Sequence, residues 1–159
     1  MKPVLEYGQM SAEEMLNSLG YTLPPPPAPG GNYLSAKIVG NLVFLSGVVS
    51  SDENGVLTGI VGVNRTTEDG YEAAQRCALT QLSVLQQTLG SIDRVKQIVS
   101  VNGYVNTVSG FADSPKVING ASDLLIQVFG ENGKHVRAAL GVAALPRNAM
   151  VELQMTVEI

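Results

Sequence analysis

The last nine residues, Val151-Glu152-Leu153-Gln154-Met155-Thr156-Val157-Glu158-Ile159, alternate apolar and polar side chains without a break. Only an extended backbone sends successive side chains to opposite faces, so this segment reads as a half-buried strand. Such a strand has to pair sideways and find cover for its apolar face. Two other segments carry the matching pattern. Between Thr67 and Leu89, Ala74, Ala78, Leu82, Leu85 and Leu89 recur at three- and four-residue spacing, a single helical stripe that Gly90 ends. A second helix opens at Ser114-Pro115, with proline where no amide donor is lost. Its apolar face is Ala121, Leu124, Leu125 and Val128, and Gly130 closes it.

The remaining chain supplies strands to pair with the last one. Leu34, Ala36 and Ile38 alternate, Gly40-Asn41 offers a tight turn, and Leu42–Leu45 is apolar, which is a hairpin signal. Ser46-Gly47 interrupts the second strand, as a bulge or a close backbone approach does, and Val48-Val49 continues it. Ile98–Val105 and Arg137–Leu145 read as two further strands, with Pro146-Arg147-Asn148 as a turn. The expected fold is α+β: a two-layer sandwich of one mixed sheet with two main helices on one face. At the head of the chain, Ser11 and Glu14 form a capping-box pattern, Met15 and Leu19 supply an apolar edge, and Gly20 stops a short helix. The run Pro24-Pro25-Pro26-Pro27-Ala28-Pro29 favours a stiff extended arm. The division expected is an arm over 1–32 and an α+β domain over 33–159.

Charged residues are only 15% of the 159, against 45% hydrophobic. A small monomer usually carries more charge than that, so part of the surface is expected to be buried against another copy. The formal net charge of −4 disfavours a nucleic-acid partner. One cysteine, Cys77, and one histidine, His135, leave no disulfide framework and little material for a metal site. The first fourteen residues lack the apolar run and cleavage pattern of a leader, and no segment approaches the ~20 apolar residues of a membrane span. A cytoplasmic protein without cofactor or metal is expected.

Few residues invite chemistry. Glu152 sits among alternating apolar neighbours: it is either on the solvated face of an edge strand or a cleft carboxylate that positions water. Arg137 opens a strand of small apolar residues, and either makes a surface ion pair or holds an anion in its fork. His135, in the polar loop around Glu131–Lys134, reads as exposed. Cys77 reads as a small core residue. Asn119 is unfavourable inside a helix and fits a polar contact there.

Several of these segments together resemble a known family. Gly40-Asn41-Leu42-Val43-Phe44-Leu45-Ser46-Gly47 is similar to the second-strand signature of the YjgF/YER057c/UK114 proteins, the Rid (reactive intermediate deaminase) family. Arg137, Leu145-Pro146 and Val151-Glu152-Leu153 resemble its C-terminal signature, and Leu89–Val95 its helix-to-strand passage. The resemblance implies a chorismate-mutase-like fold with a six-stranded sheet, assembled as a homotrimer with ligand clefts between subunits. It implies cofactor-free hydrolysis of 2-imino acids, such as 2-iminopropanoate, to 2-oxo acids and ammonia. By the same resemblance Arg137 clamps the substrate carboxylate and Glu152 positions the attacking water. Tyr33 and Asn119 line the cleft, and Gly47 and Ala139 contribute backbone groups. Asn32, Val48 and Ala138 depart from the family pattern, which keeps open a non-catalytic binder of a carboxylate metabolite on the same scaffold. A ribonuclease, an activity attributed to some members, fits the acidic composition less well.

Overall fold

The computed structural model describes residues 10–159; the leader reading, made on residues 1–14, falls mostly on 1–9, outside them. In chain order the elements are α1 (Ala12–Ser18), β1 (Ala36–Val39), β2 (Leu42–Leu45), β3 (Val48–Val49), the small hairpin β4 (Ser51–Asp52) and β5 (Gly55–Val56), α2 (Thr67–Leu89), β6 (Gln97–Asn106), α3 (Ser114–Phe129), β7 (Val136–Val142) and β8 (Val151–Glu158). The main sheet runs β1-β2-β8-β6-β7, with β3 also paired to β8. Only β6 and β7 pair parallel; the other pairings are antiparallel. The sheet is mixed and six-stranded, as expected.

The alternating C-terminal segment is the middle of this sheet. Glu152 is therefore not on an edge strand: β8 is flanked by β6 on one side and by β2 and β3 on the other. Val151, Leu153, Met155 and Val157 are buried on the face that α2 covers, while Glu152, Gln154, Thr156 and Glu158 share the opposite face. The α2 stripe is buried as its spacing requires, and Thr66 caps it in a reciprocal box with Asp69. The two helices touch backbone to backbone at Gly120, where a Cβ would collide with the Tyr71 carbonyl.

Two local expectations change, and the proline-rich arm gains a defined contact. In α1 the buried residue is Leu16, not Met15 or Leu19, because the helix meets the body along its Leu16 side. The strand from Arg137 stops at Val142, three residues before Leu145. The proline run is tied to α2 through Ser83 Oγ, which donates to Pro24 O at 2.6 Å, while Tyr21 and Leu23 pack on the core.

Among the described residues, no helix covers the sheet face away from α2 and α3. Its centre is polar, but its flanks are apolar: Val136 and Leu140 on β7 are 70% and 54% exposed. Val39 and Phe44 are exposed at the other flank.

Candidate functional site

A break between β2 and β3 creates the cleft. Phe44 pairs with Thr156 and Val48 with Leu153, so four steps on one strand face three on the other. The extra residue is a bulge at Ser46-Gly47. Gln81, fully buried on α2, closes the break from below: its Nε2 donates to Ser46 O and Leu153 O, both at 2.9 Å. Ser46 Oγ donates to Leu34 O at 2.6 Å, tying the bulge to the segment that carries Tyr33.

Above the break lies a cavity of about 620 Å³ lined by Tyr33, Gly47, Thr80, Val84, Arg147 and Glu152, with Pro27–Gly30 as its rim. A Cβ on Gly47 would stand 3.2–3.4 Å from the Glu152 carboxyl and its Cγ. Glycine thus leaves the carboxyl room to turn. Burial pushes the Glu152 carboxyl above the usual carboxylate range, and it forms no ion pair among the described residues. Tyr33 is 51% exposed, its hydroxyl accepting the Gly30 N–H at 3.0 Å. Cys77 lies beneath, fully buried, its thiol pushed up chiefly by burial and secondarily by the Glu152 charge. That environment suits packing, not nucleophilic attack.

Arg147 reaches this cavity from a strained turn. It and Asn148 both have φ of +55°, a region that side chains with a Cβ rarely occupy. Asn148 is fixed by Asn106 Nδ2, which donates to its Oδ1 at 3.2 Å, and by Gly59 N–H, which donates to its carbonyl at 3.0 Å. Arg147 forms no ion pair among the described residues.

The other predicted residues gather elsewhere, along β7. Arg137 is opposite Val101, so it points to the helix side, where its Nη1 donates to Asn119 Oδ1 at 2.8 Å and to Ser122 Oγ at 3.1 Å. Both Nη1 hydrogens are then used, and the Nε and Nη2 donors remain as a side-on fork. Asn119 meets a polar partner, as its place in a helix suggested. Ala139 packs toward the core opposite Gly103, and its strand is the sheet's edge. His135 is not merely exposed: it is partly buried and bonded at both ring nitrogens, to Ser122 Oγ at 2.9 Å and Gly133 O at 2.7 Å.

Within one chain the six residues fall into two sets: Tyr33, Gly47 and Glu152 at the cleft, and Asn119, Arg137 and Ala139 at the β7 edge. Glu152 is opposite Tyr104, on the face away from the helices, whereas Arg137 is on the helix side. Two strand spacings of ~4.8 Å and three residues of ~3.3 Å put their backbones roughly 14 Å apart.

Residues 13–159 match the family described as "YjgF/chorismate mutase-like, putative endoribonuclease". The chain belongs to the YjgF/chorismate-mutase-like family. It is 42% identical to Protein TCP17 of Trypanosoma cruzi over 158 residues, covering 98% of each chain. It is 30% identical over 138 residues to a 2-iminobutanoate/2-iminopropanoate deaminase of Dermatophagoides farinae, covering 86% of this chain and 92% of that one. Among solved structures, Atu1372 of Agrobacterium tumefaciens, described as of unknown function, superposes with a TM-score of 0.85 at 38% identity, covering 94% of this chain and 92% of that one.

Two contributors to this YjgF-family cleft escaped the sequence reading. Gln81 had a signal: it is a lone amide three residues after Ala78, inside the apolar stripe of α2. Arg147 had none, because a Pro-Arg-Asn turn says nothing of what the arginine faces. Among the described residues no group of three or more histidine, cysteine, aspartate or glutamate side chains could hold a metal ion, and no helix is long and apolar enough to cross a membrane.

Proposed function

We propose that this YjgF-family chain hydrolyses 2-imino acids and their enamine tautomers, such as 2-iminopropanoate, to 2-oxo acids and ammonia without a cofactor. The observation that carries this reading is Glu152: a carboxyl facing a cleft, without a cation partner among the described residues, and held by burial above the usual carboxylate range. Such a group is a better proton acceptor than an ordinary carboxylate and can still return the proton it takes. A protonated imine carbon beside a carboxylate is already electrophilic. Glu152 accepts a proton as water oxygen bonds to that carbon and returns it to nitrogen; it then takes the hydroxyl proton as the C–N bond breaks and the C=O bond forms, and passes that proton to the departing ammonia. The protonated imine plus water balances to oxo acid plus ammonium. The Nε and Nη2 donors of Arg137, without hydrogen-bond partners among the described residues, suit the substrate carboxylate, which they would hold in two parallel hydrogen bonds.

Arg137 and Glu152 face opposite sides of one chain's sheet, so the reading requires a second copy to bring its β7 edge to the first copy's cleft. A homotrimer with such shared clefts is the assembly proposed. The exposed apolar side chains of Val136 and Leu140 at one flank, and Val39 and Phe44 at the other, support it. So does the deaminase name of the Dermatophagoides farinae relative. The formal charge of −4 supports a small-molecule substrate over RNA.

The test couples the purified protein to an L-amino-acid oxidase acting on alanine and follows pyruvate release from 2-iminopropanoate. The expected result is acceleration that Arg137→Ala removes, with a sedimentation mass three times that of the chain. Full activity in Arg137→Ala, or in a monomer, would refute the shared site. Ala138 on β7 and Val48 at the cleft favour a second reading, a binder of carboxylate metabolites. Tight pyruvate binding with no acceleration selects it.

A further inference from the structure

With a neutral His135 ring, the contacts around Ser122 assign the protons in a chain that ends on Arg137. His135 Nδ1 lies 2.7 Å from Gly133 O, and a carbonyl only accepts, so the proton is on Nδ1. The neutral ring then offers Nε2 as an acceptor, 2.9 Å from Ser122 Oγ. Ser122 has one hydroxyl proton, and it goes to Nε2. Its oxygen is left to accept from Arg137 Nη1 at 3.1 Å, while the same Nη1 donates to Asn119 Oδ1 at 2.8 Å. Ser122 is only 8% exposed, so solvent has little access to replace a lost link.

We infer that His135 is a positioning residue: its neutral Nδ1–H form orients the Ser122 hydroxyl and so holds the Arg137 guanidinium ready for an anionic carboxylate, and its protonation releases that hold. The inference rests on the reading of Arg137 as the carboxylate clamp. Protonation puts a hydrogen on Nε2, which must now donate to Ser122 Oγ. The hydroxyl proton is turned out of the chain, and two cations share one oxygen. Their nitrogens are then no more than about 6 Å apart, given contacts of 2.9 and 3.1 Å, and like charges at that range disfavour each other.

The surrounding charges do not cancel this. In the turn before β7, Lys134 and Glu131 pair with each other at 2.8 Å. At the start of α3, Lys116 pairs with Asp113 at 3.6 Å, and further along Asp123 accepts the Tyr71 hydroxyl at 2.7 Å. On β6 the titratable side chain is Tyr104. Arg137 is the cation hydrogen-bonded into the chain. Glu152 also takes up a proton as the pH falls, and the proposed assembly brings a neighbouring copy's Glu152 to Arg137, so the His135→Gln variant, which keeps Glu152, separates the two groups.

His135 is the only histidine, so the imidazole nitrogen resonances of uniformly 15N-labelled full-length protein belong to it without assignment. Proton–nitrogen correlation spectra from about pH 8 to pH 5 report its tautomer and its protonation midpoint. Pyruvate affinity is measured over the same range. The expected result is the Nδ1–H tautomer when neutral, with pyruvate affinity falling about tenfold or more through the same midpoint. His135→Gln keeps an uncharged acceptor and should remove that step while leaving Glu152 in place; Ser122→Ala should be weak at every pH. An Nε2–H tautomer overturns the inference. So does pyruvate affinity that is absent, or flat across the ring's titration, or that keeps its step in His135→Gln. Failure of imine turnover alone, with the affinity step intact, would sink the deaminase reading and leave this one standing.

Discussion

Replacing Gln81 with methionine tests whether one buried amide holds the cleft open. Methionine has nearly the same length and volume, so packing on α2 changes little. The amide orientation is fixed by chemistry, since two carbonyl oxygens face Nε2 and only the NH₂ end can donate to them. The substitution removes two hydrogen bonds worth about 1 kcal/mol each and strips Ser46 O and Leu153 O of that donor, which adds about 1–3 kcal/mol. It also deletes Gln81 Oε1, a buried acceptor with no partner among the described residues, which returns about 1 kcal/mol. The net expectation is a loss of about 2–4 kcal/mol. For a chain of this length that is roughly 5–15 °C in melting temperature, measured at one protein concentration because assembly contributes to it. Gln87→Met is the control: the same exchange on the same helix at an exposed position, expected within about 0.5 kcal/mol of wild type. A Gln81→Met protein as stable as the control would refute the view that this amide bridges the bulge to β8.

Three shorter predictions follow from other contacts. Glu152→Gln should lower kcat/KM by about 10²–10⁴-fold, yet stabilise the fold at neutral pH. Because burial raises the native pKa, the folded wild type binds its proton more tightly than the unfolded chain, and wild-type stability falls as pH rises from the ordinary value of 4.5 through the raised one. Chemical denaturation should show the variant's advantage above that window and none below it; an advantage that grows in acid would reverse the sign. Gly120→Ala puts a Cβ into the Tyr71 carbonyl, so α2 and α3 must separate at a cost of about 3 kcal/mol or more; an unchanged urea midpoint would mean the helices are not in backbone contact. Arg147→Gln should raise KM selectively for imino acids with a second anionic group, because Arg147 lines the cleft and has no ion-pair partner among the described residues. Equal changes for mono- and dicarboxylic substrates would show that Arg147 does not read the substrate.

Much of the site was legible because its anchor residues are tied to strand and helix patterns. The alternation at Val151–Ile159 put Glu152 on the polar face, and the Ser46-Gly47 interruption marked the bulge beside it. Asn119 stood out as a misfit in a helix, and it does meet Arg137. His135 was misread because loop composition predicts exposure, whereas Ser122 and Gly133, distant or unremarkable in sequence, close around the ring.

The sequence alone determined which face each side chain of β8 and α2 presents, because helical and extended periods are local properties of the backbone. It determined the caps and stops too, since Ser11 and Gly90 act on their own helix ends. Only the tertiary structure decided that β8 is central, that Glu152 and Arg137 belong to opposite faces, and that Arg147 reaches the cleft. Those facts depend on which strands pair and in what register. Pairing is settled by burial summed over the whole sheet, and no short segment carries that sum.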